Sequence, residues 1–299
     1  MQPRDDDARG PRPGPEGGRA ADGVRGPQLA VAVDDPRRLR TAATAAALAH
    51  SGGGTDGTHV THWYFGSEFC EHLFPSRAAL QRGVAAADRV GLTLVLMTPV
   101  ANDALIGRIE ASTSELPRHA EIVVNDWGVA RRLRAADPDR TLIAGRQLSK
   151  TIKDPRLPSA AWLAPFASGY SNDAFHRLLR RLRIERLELD VPPFATATTF
   201  EVGGFAVSAW VPYGYVAKGR ICKIGSTSQA RAAKFSPGGR CRRECRRVSE
   251  IDAQSPAPAA TPLTYVGNTL LYRHGKAEAA AVRAGIDAGR IDRIVVGGD

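Results

Sequence analysis

The stretch from Leu92 to Ser112, LTLVLMTPVANDALIGRIEAS, sets a strand and the start of a helix in immediate succession. LTLVLMTPV (92–100) is an apolar run on both faces, the pattern of a strand buried on two sides in a helix-covered parallel sheet. Asn102 follows as a capping residue for the helix NDALIGRIEAS. The same alternation repeats in both directions. QLAVAVD (28–34) leads into PRRLRTAATAAALAH, which opens with proline at a helix start and carries Leu39, Ala43 and Ala46 near helical spacing. THVTHWYFG (58–66) precedes PSRAALQRGVAAADRVG, a helix stopped at Gly91. AEIVVND, RTLIAG, IERLELDV, GGFAVSAWVP and IDRIVVG continue the strand series, with WGVARRLRAAD, NDAFHRLLRRLR and AEAAAVRAGIDAG as helices.

Alternation of this kind implies parallel βαβ units with right-handed crossovers. The strands number about eight, the count that closes a barrel. An open doubly wound sheet is the competing arrangement. Strands at both ends of the globular region can pair with each other, which favours closure. We therefore expect a (β/α)8 TIM-barrel-like single domain from Gln28 to Asp299, with an irregular cysteine-bearing loop region. Two stretches break the pattern: KTIKDPRLPSAAWLAPFASGYS (150–171) and the segment from Gly219 through SEIDAQSPAPAATP. Loops this long are usually functional, so they are expected at the site face.

The 299 residues are 43% hydrophobic, enough for a core, and carry a formal net charge of +10 that comes chiefly from arginine. In a chain rich in Ala, Gly and Pro such arginine bias is weak ground for inferring nucleic acid binding. RNA stays open as a partner of the basic segment. No run reaches the ~20 apolar residues of a membrane helix, and residues 1–27 lack the apolar centre of a secretory signal. The expectation is a cytoplasmic protein without a membrane span, with 1–27 as a disordered tail.

Three of the four cysteines fall in GRICKIGSTSQARAAKFSPGGRCRRECRRVSE (219–250), and the fourth, Cys70, closes WYFGSEFC. In a reducing compartment, clustered thiols suggest a metal centre or a redox dithiol rather than a disulfide framework. They also admit a bland reading as small hydrophobes in a solvated arginine loop. Four thiolates suit a [4Fe-4S] cluster or structural zinc. Zinc sites more often use C-x-x-C knuckles, whereas Cys241 and Cys245 form C-x-x-x-C. Lys223, Arg240, Arg242, Arg243, Arg246 and Arg247 are expected to lower the thiol pKa values and offset cluster charge.

Together VTHWYFGSEFC, VVNDWGVA, VPYGYVAKGRIC and CRREC resemble the collagenase-like peptidase family U-thirty-two, in particular its iron-sulfur members of oxygen-independent ubiquinone hydroxylation. Gly66, Glu68 and Cys70 match a strand ending in glycine, acid and cysteine. Pro212, Tyr213, Tyr215, Cys222, Cys241 and Cys245 match a Pro-aromatic segment leading to the remaining thiols. The resemblance spans most of Gln28 to Asp299. It implies a β/α barrel, [4Fe-4S] ligation by Cys70, Cys222, Cys241 and Cys245, a related family subunit as heterodimer partner, and an apolar small-molecule or quinone-precursor substrate. A non-redox member, zinc-stabilised or metal-free, acting as a peptidase-like hydrolase or an RNA-modification factor, is the alternative. Neither a Ser-His-Asp arrangement nor G-x-S-x-G or H-E-x-x-H supports proteolysis.

Glu68, Asp126 and Glu201 are the candidate catalytic acids. Asp126 ends VVND, where a barrel presents polar groups, although it equally suits a helix cap. Glu201, in TTFEVGG, either faces the barrel interior from a strand or pairs with a basic residue. Arg146 and Gln147 could receive an anion or carbonyl, and Trp210, Tyr213 and Tyr215 could line the approach or be core. His62 ranks below the cysteines as a metal ligand. GGGTDG (52–57) lacks the Lys-Ser/Thr of a phosphate loop.

Overall fold

Strands β1 (Gln28–Ala32), β2 (Val60–Gly66), β3 (Thr93–Met97), β4 (Glu121–Val124), β5 (Leu142–Ala144), β6 (Arg186–Leu189) and β7 (Ala206–Val211) run parallel in chain order. The computed structural model describes residues 26–50, 59–166, 168–234, 241–252 and 262–297. Residues 1–25 of the expected tail, GGGTDG and Arg240 lie outside them. β8 (Tyr213–Lys218), β9 (Glu250–Ile251), β10 (Leu263–Val266) and β11 (Thr269–Arg273) form a separate antiparallel sheet in the order β8-β11-β10-β9. The last strand, β12 (Arg293–Gly297), pairs with both β7 and β1 and closes an eight-stranded barrel. All eight strands read from the sequence are the barrel strands.

The α-helices among the described residues are α1 (Leu39–His50), α2 (Arg77–Val90), α3 (Asp103–Ser114), α4 (Trp127–Ala136), α5 (Ala160–Leu163), α6 (Asp173–Arg181), α7 (Lys223–Ser226) and α8 (Lys276–Asp287). Their boundaries follow local chemistry. Asn102 accepts the Leu105 amide at 2.9 Å to start α3, and Gly91, at φ 69°, ends α2 in the left-handed conformation. β6 and β7 are joined by a single short 3-10 turn, Ala197–Phe200, in place of a helix. None of the described helices is long and apolar enough to cross a membrane.

Strand residues alternate between two cores. Trp63, Phe65, Leu94, Leu96, Ile122 and their like face outwards against the helices. Ala30, Tyr64, Val95, Val123, Ile143, Trp210 and Val295 face inwards and pack across the barrel. Within the irregular cysteine region expected beyond β7, β8 and the β10–β11 hairpin flank the described segments and carry them over the carboxyl-end rim.

Candidate functional site

The barrel axis is filled with charge. At its amino end Arg293, 1% exposed, donates to Glu121 at 2.6 and 3.2 Å, to Tyr64 Oη at 3.0 Å and to Gln28 Oε1 at 2.9 Å, and contacts His62 Nε2 at 2.8 Å. Burial would raise the Glu121 carboxyl, yet hydrogen bonds from His62 and Arg293 hold it down to about 2. Tyr64 then donates to Glu188 Oε1 at 2.7 Å, and Trp210 Nε1 donates to the other Glu188 oxygen. Both donors are neutral, so burial dominates and pushes Glu188 up to about 7. His62 is thus committed to the barrel floor, far along the strand from the thiols.

At the carboxyl end the Arg146 guanidinium lies 4.1 Å over the Trp210 ring and pairs with Glu68 and, at 2.8 Å, with Asp190. Lys153 pairs with the second Asp190 oxygen and sits 3.3 Å over the Tyr215 ring. Gln147 donates to the Glu68 carbonyl. Burial raises Glu68, opposed by Arg146; burial lowers Lys153, opposed by Asp190. Two cations answer two anions, and aromatic rings close over them. This network plugs the barrel mouth, so Trp210 and Tyr215 are core there rather than walls of an approach. Glu68 and Arg146 are brought together as structural partners.

The other two acids lie apart. Asp126 caps α4, accepting the Val129 amide at 3.1 Å. Glu201 is not in a strand: it follows the 3-10 turn before β7, on the amino-end side of the barrel, and pairs with Arg290 at 3.2 Å while 65% exposed. That position removes it from the site face.

The thiols gather at the rim. Gly66, at φ 114° and with Met97 O only 2.6 Å from where a Cβ would stand, turns the chain out of β2 towards Cys70. Cys222 caps α7, its Sγ accepting the Gly225 amide at 3.2 Å. Cys241 precedes, and Cys245 lies within, the 3-10 turn Glu244–Arg246. All four are free and half-buried. Cys70, Cys222 and Cys241 share the wall of a cavity of about 840 Å³, and Cys245 lies against Gly267. Among the described residues, no three His, Cys, Asp or Glu side chains come close enough together to hold one metal ion.

Cys70 and Cys245 run opposite to the expectation from the neighbouring arginines. Burial raises Cys70, and Cys241 and Cys222 add to it; burial and repulsion from Cys222, Cys70 and Cys241 push Cys245 up to about 11. The basic side chains are engaged elsewhere or point to solvent. Arg246 pairs with Asp34 at 2.9 Å, Arg243 donates to the His72 carbonyl at 3.2 Å, and Lys223 faces Glu250 and the Tyr265 ring. Arg242 and Arg247 are exposed.

Lys153, Glu188, Asp190 and Arg293 escaped the sequence reading. The signal was present in RLELD (186–190), where every second residue is charged and the apolar residues between them face the helices.

No family model and no curated protein matches this chain. Solved structures do. The U32 peptidase Mk0906 is 10% identical, with a TM-score of 0.45 over 96% of this chain and 98% of its own. A family 18 chitinase from Cycas revoluta is 8% identical, with a TM-score of 0.43 over 90% and 94%, and the chitinase RmChi1 from Rhizomucor miehei is 9% identical, with 0.41 over the same shares.

Proposed function

We propose that Cys70, Cys222, Cys241 and Cys245 hold a [4Fe-4S] cluster, and that the protein supports oxygen-independent hydroxylation or redox modification of an apolar, prenylated aromatic substrate together with a related subunit. The observation that carries the reading is the meeting of three unpaired thiols, Cys70, Cys222 and Cys241, at one cavity on the carboxyl-end rim, with the fourth, Cys245, beside the neighbouring Gly267. The charges of Cys241 and Cys222 act on Cys70, and those of Cys222, Cys70 and Cys241 act on Cys245.

A bound cluster supplies electron transfer or a Lewis-acidic iron at this rim. The protein's own part is to exclude water and orient the substrate. Phe69, Val100, Ala101 and Ile221 give the cavity an apolar wall beside the thiols. Lys218 also lines it, and Cys70 lies within its electrostatic reach. The plugged barrel mouth directs a substrate to this cavity rather than to the axis. Trp162 and Phe166, their ring centroids 5.0 Å apart and tilted by 36°, are 46% and 50% exposed in the segment after β5 and offer apolar surface for a partner on the same face.

Anaerobic purification with iron and sulfide determination and a visible spectrum tests the reading. A brown protein with iron and sulfide in equal amounts is expected. A colourless protein holding stoichiometric zinc contradicts it.

A further inference from the structure

We propose that Asn268, at the tip of the β10–β11 hairpin, is the positioning residue that locks the Cys70 and Cys222 segments side by side; this rests on the reading that the thiols act as one set. Its Nδ2 donates to the Phe69 carbonyl at 2.9 Å and to the Gly219 carbonyl at 2.7 Å. Phe69 immediately precedes Cys70, and Gly219 stands at the end of β8, three residues before Cys222. Buried Thr269 donates its hydroxyl to Asn268 Oδ1 at 3.2 Å, which fixes the amide with its two N–H groups towards the two carbonyls. The Asn268 carbonyl in turn accepts the Gly219 amide at 2.8 Å.

Two carbonyl oxygens converging on one point repel each other unless a double donor stands between them, and a primary amide is the smallest neutral side chain that provides one. The adjoining Gly267 extends the clamp. Its carbonyl accepts the Ile224 amide of α7 at 3.2 Å, and a Cβ on it would stand 3.3 Å from Cys245 Cβ. One two-residue turn therefore touches the segments that carry Cys70, Cys222 and Cys245.

The test uses the full chain carrying C241S and C245S, which leaves Cys70 and Cys222 as its thiols. Cross-linking by o-phenylenedimaleimide is followed by mass spectrometry. Adding Asn268→Asp, which keeps the shape but sets a carboxylate against both carbonyls, should lower the Cys70–Cys222 cross-linking rate by about tenfold or more, the loss of two net hydrogen bonds. The alkylation rate of each thiol by a monofunctional maleimide and the far-ultraviolet spectrum should stay near the parent's. Should N268D fail to fold, Asn268→Ser, whose hydroxyl reaches one carbonyl, should give an intermediate loss. An unchanged cross-linking rate in the folded variant overturns the proposal. Loss of cross-linking by N268D in a protein whose wild type takes up no iron would sustain the clamp and reject the cluster.

Discussion

Glu188 shows what a single buried side chain costs and where that cost appears. Its carboxyl titrates near 7 in the folded barrel, above the ordinary carboxylate value that it regains on unfolding. Between those two values the native state holds a proton that the unfolded state releases, so this residue's contribution to stability falls as pH rises from about 4.5 to 7. Glu188→Gln mimics the protonated acid. Urea unfolding from pH 5 to 8 should show wild type losing on the order of 3 kcal/mol relative to E188Q, and a constant difference would contradict it. Arg146 is the converse case. Arg146→Ala leaves Glu68 and Asp190 buried with Lys153 alone, and should destabilise by about 3–5 kcal/mol in the same assay. The thiols give a third outcome. With Cys245 pushed up to about 11, its alkylation by iodoacetamide in metal-free protein should be slow at pH 7 and rise steadily towards pH 10, whereas a plateau near pH 8 would refute the burial argument.

At the scale of elements, the hairpin joining β10 to β11 illustrates both what was legible and what was missed. Gly267 takes φ 63° in a two-residue turn, the left-handed position where glycine is at no disadvantage. Gly267→Ala should cost about 1–2 kcal/mol in thermal unfolding and lower iron occupancy, since the new methyl meets Cys245. The signal was in LTYVGNTLLYR (263–273), two apolar runs separated by Gly-Asn, yet the proximity of the Pro-rich stretch obscured it. The barrel strands were read correctly because continuous apolar runs such as TLVLM and EIVV leave no competing pattern, and Asn102, Ser76 and Gly91 mark their helices by local chemistry alone. The axial network was hidden for the opposite reason. Tyr64, Glu188 and Arg293 meet only when β2, β6 and β12 close, and nothing in any one strand names the partners that the other two supply. Glu201 misled because TTFEVGG resembles a strand, whereas its threonines make a 3-10 turn with their own side-chain hydrogen bonds.

For the molecule as a whole, closure of β1 on β12 determines where function can reside. The barrel axis is packed with paired charges and aromatic rings, and the thiol-lined cavity lies to one side, where β8 and its hairpin lean over the end of β2. Cys70 is the thiol contributed by the barrel itself; the other three come from the segment beyond β8. A shared centre would tie the two parts together, and losing Cys70 should release it. The direct measurement is the iron and acid-labile sulfide content of Cys70→Ser beside wild type, both purified without oxygen. The account predicts iron and sulfide in wild type and a loss of most of both in C70S with the barrel still folded; equal content in the two proteins, or none in wild type, would contradict it.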